Sequence, residues 1–210
     1  MARVKIMPAT PGNPSIMPLI DTTDITRKYL DISYTPDNAH PMRRLDIYLP
    51  EDGDGPFPVL IYMHGGGFIL GRKDDFHTAD YMGCLDEGFA FVSVEQRLCS
   101  PMPEGGFSLD GVFPHSLFDL KAAIRFLRAN AKKYLLDTER FALIGASAGG
   151  YHVAMAAATQ DVPAMYDASL GLADVSGKVH AVIDLFGVGD LAIQAEYFMY
   201  NQRLETDAQD

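Results

Sequence analysis

Short apolar runs recur along this chain, separated by segments that carry either turn residues or a helical period. The first two are residues 25–34 and 44–49, and in the second Leu45, Ile47 and Leu49 alternate with Arg44, Asp46 and Tyr48. That is the period of a strand with one face on a core and the other in water, as near a sheet edge. After the turn-rich stretch 51–58 comes 59–63, apolar throughout, as a strand buried on both faces would be. A second such run, 89–94, follows a helix predicted within 75–87. Pro114 then offers a first-turn start for a longer helix, in which Leu117, Leu120, Ile124, Leu127, Ala131 and Tyr134 recur at spacings of three and four, an apolar stripe suited to lie on a sheet. A buried strand over 141–145, a helix of small residues over 148–159 and an apolar strand over 179–186 complete the pattern. The tail beyond Leu191 is polar, with helical character.

Strands alternating with helices predict an α/β fold with a largely parallel sheet and right-handed crossovers. There is no internal repeat, low-complexity tract or linker, so the expected organisation is an irregular N-terminal leader over 1–24 and one domain over 25–210. The Gly/Pro-rich stretch 99–113 has no period and is long enough for a functional surface loop. Composition agrees with a packed globular domain: 210 residues, 48% hydrophobic and 21% charged, with mean hydropathy near zero.

A formal charge of −11 and a pI near 4.8 leave no basic stripe for a phosphate backbone, so nucleic acid and anionic membranes are poor partners. Arg3 and Lys5 precede no signal-type apolar run, because Pro8, Pro11, Pro14 and Pro18 interrupt it; the expectation is a cytoplasmic protein. Cys84 and Cys99 are too few for a disulfide framework and lack zinc-site spacing, which leaves buried or half-buried thiols.

The chemistry sits in two glycine-rich motifs. Gly145-Ala146-Ser147-Ala148-Gly149-Gly150 lies between the apolar strand and the small-residue helix. A sharp strand-to-helix turn there would lift Ser147 to the C-terminal edge of the sheet, where open α/β sheets bind ligands, under the N-terminus of the next helix. His64-Gly65-Gly66-Gly67-Phe68 ends the strand 59–63. Three glycines expose backbone N–H groups, as an oxyanion hole requires; a phosphate-binding reading lacks the accompanying motifs.

With these residues in place, the sequence resembles the α/β-hydrolase family, in particular its hormone-sensitive-lipase-like branch and the bacterial acetyl and feruloyl esterases. The resemblance covers roughly residues 25–191: the two motifs above, Ser93-Val94-Glu95-Gln96-Arg97-Leu98, and the helix 113–134. It implies an α/β-hydrolase fold, a mostly parallel sheet with helices on both faces, truncated after the sixth strand. It further implies Ser147 as nucleophile and the N–H groups of Gly66, Gly67 and Ala148 as the oxyanion hole, with no metal or organic cofactor. Arg97 and Asp119 would tie the loop after the fourth strand to the following helix. Gln96 replaces the family's usual tyrosine, and Cys99-Ser100 its Ala-Pro.

A triad on this fold runs Ser, Asp or Glu, then His along the chain. Only His152 and His180 follow Ser147. His152 lies within the same helix and cannot swing over the serine, and His180 opens a strand at the far end of the sheet. Asp190 is a possible acid but reads better as a loop or cap residue. The expectation is thus a serine carboxylesterase for short acyl or aryl esters, a small-molecule substrate, with weak or absent turnover in this chain. The alternative is a binding or assembly module that has lost its triad. Acyl transfer or peptide hydrolysis on the same scaffold stays open, and the apolar edge at 179–186 would invite self-association or a C-terminal partner.

Overall fold

Alternation decides how the central strands divide between two layers. The computed structural model describes residues 4–7, 17–36, 40–99, 102, 105–194 and 196. Its main sheet comprises β3 (Lys28–Ser33), β4 (Arg44–Tyr48), β5 (Phe57–Met63), β6 (Ala90–Val94), β7 (Leu136–Ala146) and β8 (Ala181–Leu185), in the order β3-β4-β6-β5-β7-β8. β6, β5, β7 and β8 are parallel, whereas β4 runs antiparallel to β6 and β3 antiparallel to β4. Along β5, Val59, Ile61 and Met63 face the layer formed by α1 (His115–Ala129) and α2 (Ala148–Ala158), joining Leu117, Leu120, Ile124 and Val153 in the larger core. Tyr62 turns to the opposite face, where it meets Phe91, Ile144, Met82 and Leu85. Side chains two apart share a face, which explains how an unbroken apolar run serves two layers.

The second layer is not an α-helix. The helix expected within 75–87 is a 3-10 segment, Phe76–Leu85, opened by Asp75, whose side chain accepts from His77 N at 3.0 Å. The predicted wet face of β4 is also corrected, since Asp46 and Tyr48 are only 2% and 1% exposed. A carboxylate can be buried there because Lys73 Nζ lies 2.9 Å away and Asp31 N donates at 2.6 Å, and the Tyr48 ring lies tilted against Phe91, centroids 6.2 Å apart. Alternation reported the side-chain period correctly; it carried no information about a loop that covers the polar side.

The leader is partly regular. β1 (Lys5–Ile6) pairs antiparallel with β2 (Ile20–Asp21), and Ile20 and Ile25 enter the second core. Of its four prolines, Pro8, Pro11 and Pro14 lie outside the described residues, as does most of the tail beyond Leu191. α1 stops at Ala129, before the predicted Tyr134, because Asn130 ends it and bonds back to the Phe126 carbonyl. β8 forms a sheet edge, as its sequence suggested, with Ile183 43% and Phe186 80% exposed. No helix among the described residues is long and apolar enough to cross a membrane.

Candidate active site

β7 ends at Ala146 and α2 begins at Ala148, so the whole change of direction falls on Ser147, at φ 55° and ψ −121°. A non-glycine residue there costs about 1–3 kcal/mol and persists only where its surroundings fix it. Two contacts do so. Ser147 N donates to Leu185 O at 2.9 Å, and the next turn lies so close to β5 that a Cβ on Gly149 would sit 2.1 Å from the Met63 carbonyl oxygen. The first N–H groups of α2 surround the serine with the positive end of the helix dipole.

The triple-glycine turn faces it across the sheet edge. Gly66 has φ 111°, and a Cβ there would meet Leu70 O at 2.1 Å; its carbonyl accepts from Leu70 N at 2.9 Å, closing the turn. The backbone N–H groups of Gly66, Gly67 and Ala148 donate to no described backbone acceptor. Beneath the turn lies His64, fully buried, with Nε2 2.9 Å from Glu95 Oε1 and Nδ1 2.8 Å from Gly65 O. Two acceptors satisfy both nitrogens only when each carries a proton. Burial opposes that charge, but the hydrogen bond and negative charge of Glu95 outweigh it and hold the His64 pKa above its ordinary value. Glu95 in turn accepts from Gln96 N and Lys73 N, both at 3.2 Å. Gln96 is buried and its Nε2 donates to the His64 carbonyl at 3.3 Å, so this replacement braces the same turn.

A cavity of about 350 Å³ opens beside the serine. Ser147, Gly65 and Gly66 line it, while Gly67 and Ala148 lie outside its lining. Its other walls include Tyr62, Asp75, His77, Asp80, Tyr81 and Phe186, with the Tyr62 and Tyr81 rings 4.6 Å apart. Burial and then the charge of Asp75 push the Tyr62 phenol well above its ordinary value. The 3-10 segment supplies much of this wall, and no sequence motif marked it, because spatial neighbourhood across a βαβ-type crossover leaves no local signature.

Other predicted residues fall as follows. Arg97 and Asp119 form a buried bidentate pair, Nε to Oδ2 and Nη2 to Oδ1 both 2.8 Å, and Asp119 also accepts from Arg97 N and from Arg43. That clamp ties the segment after β6 to α1. His152 is buried within α2, next to Phe68, and His180 sits at the start of β8, accepting from Phe141 N at the end of the sheet away from Ser147. Asp190 caps the segment after β8 by accepting from Ala192 N and Ile193 N at 2.8 and 3.1 Å. Cys84 and Cys99 are unpaired and half-buried, and burial raises the Cys84 thiol to about 12. Ser100 lies outside the described residues. The Ser147 hydroxyl makes no hydrogen bond to a described residue, and no cluster of three or more His, Cys, Asp or Glu among them could hold a metal ion.

Comparisons with known proteins place this geometry. The chain is 30% identical over 148 residues to the Mycobacterium tuberculosis esterase LipC, spanning 70% of this chain and 34% of that protein. It is 30% identical over 124 residues to the ethyl acetate hydrolase of Pseudomonas putida, spanning 57% and 35% respectively. It therefore spans about a third of the length of these curated relatives. Among solved structures, a truncated form of a carbohydrate esterase from gut microbiota matches with a TM-score of 0.71 at 26% identity, covering 80% of this chain and 59% of that one. The bifunctional GH43-CE of Bacteroides eggerthii matches with a TM-score of 0.65 at 33% identity, covering 80% and 22%. The family model of BD-FAE matches residues 45–208, and with this sheet order and this strand–serine–helix turn the chain belongs to the BD-FAE family and has the α/β-hydrolase fold.

Proposed function

We propose that the chain is a carboxylic ester hydrolase for short acyl or aryl esters, acting through Ser147. The observation that carries this reading is Ser147, held at positive φ at a helix N-terminus and opening into the same cavity as Gly66. In the step it supports, Ser147 Oγ attacks the ester carbonyl carbon while its proton passes to a base. The carbonyl oxygen gains the electron pair, and the N–H groups of Gly66, Gly67 and Ala148 stabilise it. Collapse expels the alcohol with that proton and leaves an acyl-enzyme, which water then hydrolyses. The half-buried Tyr81, packed on Tyr62 in the wall, suits a flat or ring-bearing group, and since a structural relative is a carbohydrate esterase by name, sugar esters belong among the first substrates to try.

Because the Ser147 hydroxyl is not bonded to a histidine among the described residues, we expect slow acylation, of the order left when a triad member is lost and only binding and oxyanion stabilisation act. A fluorophosphonate probe tests this. The adduct should map to Ser147 by mass spectrometry and vanish in Ser147→Ala; a folded sample that takes no label would overturn the reading in favour of a binding module on the same scaffold.

A further inference from the structure

Far from the serine, at the C-terminal end of α2, two buried cations stand side by side with no ion-pair partner among the described residues, although the carboxylates of Asp161 and Asp167 act on them from beyond ion-pair distance. Lys121 and Arg125 stand one turn apart on α1 and are 5% and 3% exposed. Like charges at that spacing repel on a helix even in water, and burial amplifies the cost of leaving them uncompensated. Among the described residues neither forms an ion pair. Their protein contacts are few: Lys121 Nζ donates to Thr159 O at 2.6 Å, Arg125 Nη2 donates to Asp167 O at 3.2 Å, and the guanidinium lies 5.3 Å from the Tyr166 ring centre. A guanidinium and an ammonium carry about eight N–H donors between them. Two are used, and Arg125 Nε has no partner. Capping α2 explains one lysine bond and strapping the following loop explains one arginine bond; neither accounts for two desolvated positive charges side by side in a chain of net charge −11.

Both side chains line a cavity of about 280 Å³, together with Gln160, Tyr166, Ser176 and Lys178. Asp161 and Asp174 also stand on its lining, both exposed. We propose that this cavity binds a phosphate group, seated against Lys121 and Arg125 with Lys178 at the mouth. A phosphate monoester is largely a dianion at neutral pH and has three acceptor oxygens, so one group matches two cations and their spare donors, where a single carboxylate would neutralise only one. The electrostatics agree: burial first, then the charge of Arg125, lower the Lys121 ammonium to about 8 despite the pull of Asp161, and burial lowers the Arg125 guanidinium despite Tyr166 and Asp167. An anion in the cavity would reverse both effects.

The site does not depend on the esterase reading, which permits a test separate from activity. Melting of the full chain would be followed in inorganic phosphate and in sodium chloride of matched ionic strength, for the parent, Ser147→Ala, Arg125→Gln and Lys121→Gln. The parent and Ser147→Ala should both show a saturable rise of several degrees in phosphate alone, as a ligand bound only by the native state gives. Each cavity variant should lose most of it and weaken phosphate binding by about tenfold or more in calorimetric titration. An equal response to chloride overturns the proposal, and so does a phosphate response that survives in both variants. Should Arg125→Gln fail to fold, Lys121→Gln alone decides.

Discussion

His152 is a histidine held where it cannot charge. Its ring is buried beside Phe68 and Tyr151, neither nitrogen has a partner, and burial, followed by the charge of His64, lowers its pKa to about 3. An unfolded histidine titrates near 6.5, so between those values the unfolded chain binds a proton that the native one refuses. The stability this residue permits is therefore complete above about pH 6.5 and is lost as pH falls toward 3. His152→Leu should flatten that acid limb, read as urea midpoints at pH 7, 5 and 4; an unchanged slope would refute the assignment. Asp119 makes the opposite case, a buried charge fully compensated. Asp119→Ala strands Arg97 and should cost about 3–5 kcal/mol in urea unfolding, with a loss below 1 kcal/mol counting against the clamp. Sequence reading singles out Ser147 and Gly66 because each lies in a short glycine-rich motif, and the family resemblance points to Arg97 and Asp119, which the structure pairs. It misassigned Asp46, whose burial depends on Lys73, a residue 27 positions away.

At the scale of elements, the strand ends matter more than their middles. β5 and β7 finish side by side, Met63 opposite Gly145, which sets the triple-glycine turn next to the serine turn. Gly66→Ala would place a methyl against the Leu70 carbonyl and distort the donors while leaving the sheet intact. Probe labelling of Ser147 should fall by about 10²-fold, the scale of one lost oxyanion donor, with an unchanged far-ultraviolet dichroism spectrum; full labelling would show that this turn does not serve the serine. Strands and α-helices were legible because periods of 2 and 3.6 are local properties. The helix expected within 75–87 is present as the 3-10 segment 76–85, whose buried residues are Thr78, Met82 and Leu85. Its part in the cavity wall has no local signature, because Tyr81 and His77 come to the same cavity as Ser147 only through the pairing of β5 with its neighbours.

For the whole molecule, the sheet ends abruptly on one side. β3 closes one edge with mixed exposure, while β8 leaves Ile183 on the surface and its outer backbone groups unpaired among the described strands. Exposed apolar edges template further pairing. Ile183→Lys should slow the growth of light scattering with concentration and raise soluble yield, and identical scattering for the two chains would remove the edge as its cause.

The bond from Ser147 N to Leu185 O also sets a timetable. The serine turn leans on β8, and the cavity wall draws on residues from Met17 to Phe186. Chains emerge from the ribosome at roughly 5–20 residues per second, so residue 185 follows residue 147 by about two to eight seconds. Until then the serine turn lacks a backbone anchor and the cavity has an open side. A nascent chain would thus acquire this cavity wall only as β8 docks, which makes reactivity toward a serine-directed probe a late marker of folding and distinguishes molecules with a docked β8 from collapsed ones.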